Sequence, residues 1–171
     1  VIKNLFDYTG KRVVITGASS GMGEATAHVV HSLGAEVVAL DVQPPRYDFA
    51  RYLKVDLRDS AAIEEAVADL TKSRVHNLFY CAGLPGGKFP AVDVVTVNFI
   101  SQRHMINLLV PHMQPRDAIA SVSSGAGMGY SFFGKQLQPF MDITDFAQAQ
   151  AWVNEHEKAA WFEPYSFSKM C

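Results

Sequence analysis

The chain has 171 residues, of which 49% are hydrophobic, a composition typical of a single globular domain rather than of a disordered or fibrous protein. Its formal net charge of −2 excludes the basic surface of a nucleic-acid-binding protein, and no apolar run reaches membrane-spanning length. Two cysteines make no disulfide framework and the six histidines form no tight ligand cluster, so we expect a cytoplasmic protein that binds no metal, nucleic acid or membrane.

Five short apolar segments, each followed by turn or capping residues, are predicted to be β-strands. They are residues 12–16, 36–40, 52–55, 77–81 and 118–123. Segments with helical periodicity lie between them. This alternation predicts an α/β fold in which a doubly wound parallel sheet has helices on both faces.

The first helical segment begins at Met22 and places Met22, Thr26, Val29 and Leu33 on one face. Gly34 follows the last of these residues and is predicted to form the C-terminal cap.

The second helical segment can be capped by either Asp59 or Ser60. Its apolar face is predicted to contain Ile63, Val67 and Leu70. A later and longer helix is predicted over about residues 92–113, after a glycine- and proline-rich loop at residues 84–90.

The turn between the first strand and the first helix carries three glycines with distinct predicted roles. Gly17 can make the tight turn, Gly21 lets the backbone approach a pyrophosphate, and Gly23 lets the helix pack close to the strand. The helix N-terminus would point its N–H groups at the phosphates. The residues predicted to contact a dinucleotide here are Gly17, Ser19, Ser20, Gly21, Met22 and Gly23. The alternative is a purely structural glycine turn in another parallel-sheet protein.

Asp41 ends the second strand, 18 residues after Gly23, where a carboxylate can bind an adenosine ribose and repel a 2′-phosphate. No cationic side chain lies in the glycine turn, so we expect NAD rather than NADP. Arg46 could reach a phosphate, although a solvated loop arginine is the alternative. Asp56 and Leu57 could reach the adenine, while Asp56 could instead cap the loop.

These residues and those that follow resemble the short-chain dehydrogenases/reductases. The ordered set comprises the glycine turn, Asp41, Asp56-Leu57, Ala82-Gly83, Asn98, Ser123-Ser124 and Tyr165-x-x-x-Lys169. The resemblance implies a Rossmann-type fold and a homodimer or homotetramer. Residues 80–86 and 97–99 are similar to the branch of bacterial 3α-hydroxysteroid dehydrogenases/carbonyl reductases and coniferyl-alcohol dehydrogenases, which use NAD.

Two features depart from the family pattern. Tyr80 and Cys81 replace the two asparagines that usually precede Ala82 and Gly83, so only backbone contacts with the cofactor are expected from this turn. The chain also stops two residues after Lys169, where the family continues. We therefore expect either a fragment or the ordered part of a longer chain.

Tyr165 and Lys169 are four positions apart, so a helix places them on one face. The resemblance implies that Tyr165 carries the proton, that Lys169 stabilises the phenolate and holds the nicotinamide ribose, and that Ser124 binds the substrate oxygen. Ser124 is chosen over Ser123 on family spacing. The resemblance assigns Asn98 to a water-linked proton relay behind Lys169. The alternative is a buried asparagine satisfied by backbone carbonyls, and both can hold together.

The chain is treated as a single dinucleotide-binding and catalytic domain, residues 1–171, with an aromatic-rich insertion at about residues 130–164. Thr144 is predicted to cap a helix that runs to about His156, with Phe146, Ala149 and Val153 on one face. The aromatic side chains form either the wall of an apolar substrate pocket or a packed subdomain or subunit contact. They are Phe132, Phe133, Phe140, Phe146, Trp152, Trp161 and Phe162.

Two functions are consistent with this sequence. The first is an oxidoreductase that transfers hydride between NAD and a small-molecule alcohol or ketone, with a bulky apolar substrate such as a steroid or an aromatic alcohol. The second is a dinucleotide-binding fragment or sensor module without turnover. The set of Asn98, Ser124, Tyr165 and Lys169 favours the first.

Overall fold

The computed structural model describes residues 6–171 and divides into two compact units, each described here by itself. The sheet unit comprises the described residues up to Asp56, together with Glu64–Ala82 and Leu108–Val122. The helical unit comprises Leu57–Ile63, Gly83–Asn107 and Ser123–Cys171. The prediction of one domain over the whole chain, whose first five residues lie outside the described part, stays a prediction.

All five predicted strands exist and form one parallel sheet, in the order β3-β2-β1-β4-β5. They are β1 Arg12–Thr16, β2 Glu36–Asp41, β3 Arg51–Lys54, β4 Asn77–Tyr80 and β5 Ala118–Ser121. The central strand β1 is buried along its whole length, as a strand paired on both edges and covered on both faces must be. The prediction of a doubly wound parallel sheet is confirmed.

Strands β4 and β5 end earlier than predicted, at Tyr80 and Ser121 rather than at residues 81 and 123. The backbone N–H groups of Cys81 and Ala82 turn to the hydroxyl of Thr16 instead of continuing a strand ladder. Because β5 pairs with β4 residue by residue, it ends where its partner ends.

Helix α1 spans Gly21–Ser32, and its end is the predicted one. Gly34 has φ +95°, a conformation that glycine adopts without strain, and its N–H donates to the carbonyl of His31.

The face of α1 that carries Met22, Thr26, Val29 and Leu33 is not its buried face. Met22 and Val29 are 62% and 57% exposed, and the buried residues are Gly23, Ala27 and Val30. The buried side is the one with small side chains, because a Cβ at Gly23 would overlap the carbonyl oxygen of Gly17. Close approach of the helix to the turn before it, rather than side-chain hydrophobicity, sets this face.

Helix α2 spans Ser60–Leu70 and buries the three predicted residues, Ile63, Val67 and Leu70. Of the two candidate caps, Asp59 performs the role: its carboxylate accepts a hydrogen bond from the N–H of Ala61 at 2.9 Å.

The single helix predicted over residues 92–113 is interrupted. Helix α3 spans Ala91–Val95, a π-helical turn covers Thr96–Ile100, helix α4 spans Ser101–Leu109, and a 3-10 turn covers Val110–His112. The hydroxyl of Ser101 donates to the carbonyl of Thr96, five residues back, which supports the wider π spacing.

The insertion contains two helices followed by a third that carries the tyrosine. A 3-10 turn at Gly125–Gly129 leads into α5 at Tyr130–Met141, then α6 at Phe146–His156 and α7 at Pro164–Met170. Helix α6 buries Phe146, Ala149 and Val153 as predicted.

The predicted cap of α6, Thr144, is wrong by one residue. Asp145 precedes the helix and its carboxylate accepts a hydrogen bond from the N–H of Gln148 at 2.8 Å. The short acidic side chain reaches the third helical N–H from this position, which is the usual capping geometry.

Aromatic rings of the insertion pack against one another inside the helical unit. The ring centroid of Phe140 lies 5.0 Å from those of both Trp152 and Phe167, and Phe162 lies 4.6 Å from Phe167. Phe132 on α5 is by contrast 83% exposed. Most of these rings therefore form a packed core. This agrees with the packed-subdomain interpretation of the insertion rather than with the substrate-pocket interpretation.

Among the described residues, no helix is both long and apolar enough to cross a membrane. Within the same part of the chain, no three His, Cys, Asp or Glu side chains are grouped to hold a metal ion.

Candidate active site

The predicted site residues fall into two sets, one in each unit. The sheet unit contains the glycine turn, Asp41, Asp56 and Ala82, and the helical unit contains Leu57, Gly83, Asn98, Ser124, Tyr165 and Lys169.

Thr16, the last residue of β1, organises the start of the glycine turn. Its buried hydroxyl accepts hydrogen bonds from the N–H groups of Cys81 and Ala82, each at 3.2 Å. These bonds hold together the carboxyl ends of two neighbouring parallel strands, where ligands bind in sheets of this type. The sequence places Thr16 at the end of the first strand and predicts no role for its hydroxyl. The available signal is a hydroxyl residue directly before the first glycine of the turn.

Each glycine of the turn is required for a different physical reason. Gly17 has φ +70°, and a Cβ there would lie 2.8 Å from the Cα of Ala82. Gly21 has φ +58° and nothing within 4 Å of the position that a Cβ would occupy. Gly23 packs on Gly17. Open space beside Gly21, at the N-terminus of a 12-residue helix, fits a pyrophosphate group.

The remaining turn residues leave this space accessible. Ser20 precedes α1 and its side chain makes no capping hydrogen bond to the helix. Met22 is 62% exposed, so its side chain lies over the surface rather than in the core. A dinucleotide can therefore approach the first N–H groups of α1.

Asp41 is fixed against the same turn. One carboxylate oxygen accepts a hydrogen bond from the N–H of Ser19 at 3.0 Å, and the other accepts from the N–H of Gln43 at 3.1 Å. A carboxylate oxygen can accept more than one hydrogen bond, so the group can also bind ribose hydroxyls. Asp56 is half-buried, and Arg46 is exposed on the loop after β2.

In the helical unit, Leu57 is buried whereas Gly83 is exposed. Leu57 is only 8% exposed and is one of the buried apolar residues of the chain. Gly83 is exposed, and a Cβ there would lie 3.3 Å from the side-chain oxygen of Asn98. Glycine at this position therefore lets the chain pass close to Asn98.

Asn98 lies in the π-helical turn and is only 4% exposed. Its Oδ1 accepts from the N–H of Leu84 at 2.7 Å, and its Nδ2 donates to the carbonyl of Leu84 and to Ser168 Oγ, both at 3.0 Å. Both amide hydrogens are thus used within the protein. The interpretation of Asn98 as a satisfied buried asparagine is correct, and its part in a proton relay stays a prediction.

Ser168 is a member of this network that sequence reasoning missed. It is 3% exposed and its hydroxyl donates to the carbonyl of Tyr165 at 2.7 Å while accepting from Asn98. The sequence feature that could have indicated this role is the position of Ser168 three residues after Tyr165, because helical serines often donate to a carbonyl one turn back.

Tyr165 and Lys169 lie on the same face of α7, as their spacing predicts. The Nζ of Lys169 is 5.8 Å from the ring centroid of Tyr165, and both residues are half-buried. The structure therefore brings the ammonium of Lys169 close to the ring of Tyr165.

Ser124 precedes the 3-10 turn Gly125–Gly129, and its Oγ accepts from the N–H of Ala126 at 3.2 Å. A hydroxyl that accepts one hydrogen bond still has its own hydrogen to donate. A Cβ at Gly127 would overlap the carbonyl oxygen of Lys169, so this turn packs directly on α7. The structure therefore brings the Ser124 turn onto the helix that carries Tyr165 and Lys169.

The sequence of this chain is similar to those of known dehydrogenases. A family model described as short chain dehydrogenase matches residues 11–136. The chain is 29% identical over 154 residues to a coniferyl-alcohol dehydrogenase of a Pseudomonas species, covering 90% of this chain and 60% of that protein. It is 26% identical over 149 residues to the 3-alpha-hydroxysteroid dehydrogenase/carbonyl reductase of Comamonas testosteroni, covering 84% and 55%.

Among solved structures, a short chain dehydrogenase from Leptospira borgpetersenii with bound NAD+ superimposes with a TM-score of 0.65 at 20% identity. The match covers 91% of this chain and 66% of that one, and supports the fold. The chain spans a little over half the length of the two curated relatives.

Proposed function

The chain belongs to the short chain dehydrogenase family, and on this premise we propose that it transfers hydride between NAD and an alcohol or carbonyl compound. The observation that carries the proposal is the helical unit's arrangement of Tyr165 and Lys169 on one face of α7, with the Ser124 turn packed on that helix.

The proton chemistry follows from these three side chains. In the oxidation direction, Tyr165 accepts the proton of the substrate hydroxyl; in the reduction direction, it donates a proton to the carbonyl oxygen. The family resemblance gives Lys169 the role of holding the nicotinamide ribose and placing a positive charge beside Tyr165. Ser124 donates a hydrogen bond to the same substrate oxygen and stabilises its developing charge. When bound, the nicotinamide cofactor supplies or accepts the hydride.

The sheet unit supplies the residues proposed to hold the cofactor. The glycine turn would bind the pyrophosphate, and Asp41 would accept hydrogen bonds from the adenosine ribose. The carboxylate of Asp41 is anchored by Ser19, so a 2′-phosphate would meet a fixed negative charge. These observations support NAD rather than NADP.

We propose a bulky apolar alcohol, aromatic or steroidal, as the substrate. The support is the substrate class in the names of the two relatives, a coniferyl alcohol and a hydroxysteroid. Most aromatic rings of the insertion are used in the core, so only its exposed members, such as Phe132 and Phe133, are available to contact such a substrate.

The test is a substrate panel with two cofactors. Coniferyl alcohol, a 3α-hydroxysteroid and small secondary alcohols are each offered with NAD and with NADP, and NADH or NADPH formation is followed by absorbance, beside calorimetric titration of each cofactor. Turnover of a bulky alcohol with NAD is the expected result. Tight NAD binding without turnover of any alcohol would favour the sensor alternative, and absence of NAD binding would refute both.

A further inference from the structure

Glu163 is the N-cap residue of α7, directly before Pro164. One carboxylate oxygen accepts a hydrogen bond from the N–H of Tyr165 at 3.2 Å, and the other accepts from the N–H of Ser166 at 2.7 Å. Serine, threonine, asparagine and aspartate are the usual caps, so a glutamate that satisfies two N–H groups of the first turn is an unusual solution. Proline at the first helical position suits this start because it has no N–H to satisfy.

The loop before α3 packs directly on this cap. A Cβ at Gly86 would lie 2.9 Å from Oε1 of Glu163 and 3.2 Å from the Cβ of Tyr165. The backbone of the loop therefore touches both the capping carboxylate and the tyrosine. Two residues earlier, Leu84 is held through both its N–H and its carbonyl by Asn98. The loop is thus anchored to Asn98 two residues before Gly86 meets the start of α7.

The capping carboxylate is ionised at neutral pH. Burial alone would raise the pKa of Glu163, but the hydrogen bonds from Ser166 and Tyr165 outweigh burial and hold the pKa below its usual value. Because the folded-state pKa is lowered, the cap is fully formed above the ordinary glutamate pKa of about 4.3 and is lost as the pH falls through the lowered value.

The first turn of α7 depends on its cap. Tyr165 is the second residue of the helix and lies in the turn whose N–H groups Glu163 satisfies. Loss of the cap leaves these N–H groups without their partner, so the first turn frays before the rest of the helix. Fraying at this end would move Tyr165 relative to Lys169, which lies one turn further along the helix.

We propose that Glu163 is the positioning residue for Tyr165: by capping α7 and packing against Gly86, it fixes the tyrosine side chain relative to Lys169. This inference rests on the proposed function, in which Tyr165 carries the proton. Glu163 itself touches neither substrate nor cofactor in this account.

The test compares two caps of the same kind. Glu163→Ala removes the cap of α7, and Asp145→Ala removes the cap of α6, where the carboxylate binds Gln148. Both variants should lose similar stability. Glu163→Ala alone should lower kcat about tenfold while the KM for NAD stays within about twofold, because misplacement of a reacting group by less than about 1 Å slows the chemical step. Glu163→Asp keeps a capping carboxylate and should restore most of the loss.

A second measurement does not depend on turnover. The six tyrosines are labelled with carbon-13 on the ring, and the Tyr165 resonance is assigned by its disappearance in Tyr165→Phe. The resonance should shift in Glu163→Ala and in Gly86→Ala, and should stay in place in Asp145→Ala. Gly86→Ala serves if Glu163→Ala does not fold, because its added methyl would press on both the capping carboxylate and the Cβ of Tyr165 while Glu163 is kept.

Equal kcat values and an unmoved Tyr165 resonance in Glu163→Ala and Asp145→Ala would overturn the inference. A wild-type chain that oxidises no alcohol, combined with a Tyr165 resonance that moves only in Glu163→Ala and Gly86→Ala, would refute the proposed function and support the positioning role.

Discussion

Asn98 donates a hydrogen bond from Nδ2 to the Oγ of Ser168 at 3.0 Å, joining two residues that are 70 positions apart. Ser168 in turn donates to the backbone carbonyl of Tyr165, and Asn98 clamps Leu84. The tyrosine helix is therefore tied to the π-helical turn through one buried amide.

Replacement of Asn98 by aspartate should destabilise the protein strongly. A carboxylate has no hydrogen to donate, so the carbonyl of Leu84 and the hydroxyl of Ser168 would each lose a donor beside a buried charge. We expect a loss of about 2–3 kcal/mol in the free energy of unfolding, measured by urea denaturation. Asn107→Asp makes the same chemical change at an exposed position of α4 and should stay within about 0.5 kcal/mol. Equal losses in the two variants would show that the Asn98 network contributes little.

The glycine turn allows backbone strain to be separated from cofactor binding. Gly21 and Gly10 both have positive φ, +58° and +74°, and at each of them nothing lies within 4 Å of the position that a Cβ would occupy. Alanine at either position should cost about 1–2 kcal/mol in stability because L-residues are strained in this region. Only Gly21→Ala should weaken NAD binding in a calorimetric titration, since only Gly21 lies in the proposed pyrophosphate turn. Unchanged NAD affinity in Gly21→Ala would contradict the assignment of the turn.

Cofactor preference should depend on the charge of Asp41. Asp41→Asn removes the negative charge with little change in shape. The asparagine keeps an oxygen for the Ser19 N–H but loses the acceptor for the Gln43 N–H. The ratio of kcat/KM for NADP to that for NAD should rise about tenfold or more, corresponding to about 1.4 kcal/mol of relieved repulsion. Asp48→Asn, an exposed change in the loop after β2, is the matched control and should leave the ratio unchanged. A ratio that does not move in Asp41→Asn would remove Asp41 as the discriminating residue.

The packed aromatic rings of the insertion should contribute to stability. Trp152 stacks on His156 with centroids 3.8 Å apart and also contacts Phe140 and Phe167. Trp152→Ala should cost about 3 kcal/mol through lost packing, measured by thermal unfolding. Phe132→Ala, at an 83% exposed position, should change stability by less than about 0.5 kcal/mol. A stable Trp152→Ala variant that loses only activity on bulky alcohols would revive the pocket interpretation for Trp152.

The sequence predicted the parts of the fold that depend on local patterns. Four of the five strands contain a run of three or four apolar residues, and β3 contains the shorter Tyr-Leu pair. The i, i+4 spacing of Tyr165 and Lys169 determines their shared face once α7 forms. Gly17 and Gly21, two of the glycines that the sequence assigned to the turn, both have positive φ values.

Other features depend on contacts that a local pattern does not contain. The inner face of α1 is set by the close approach of Gly23 to Gly17, which a hydrophobic pattern cannot register because glycine has no side chain. Ser168 accepts a hydrogen bond from Asn98, and Glu163 packs against Gly86; both of these contacts join residues that lie far apart along the chain. The π-helical turn Thr96–Ile100 also interrupts the predicted continuous helix. It contains Asn98, whose side-chain amide binds the distant Leu84.

The most direct test of the proposed chemistry is the effect of Tyr165→Phe on turnover and on NAD binding, measured side by side. Loss of the phenol oxygen should lower kcat by about a hundredfold or more, the usual contribution of a positioned proton carrier, while the Kd for NAD stays within about twofold. Tyr130→Phe makes the same change at a 54% exposed position and should leave both quantities unchanged. Retention of wild-type kcat by Tyr165→Phe would contradict the assignment of Tyr165 as the acid and base.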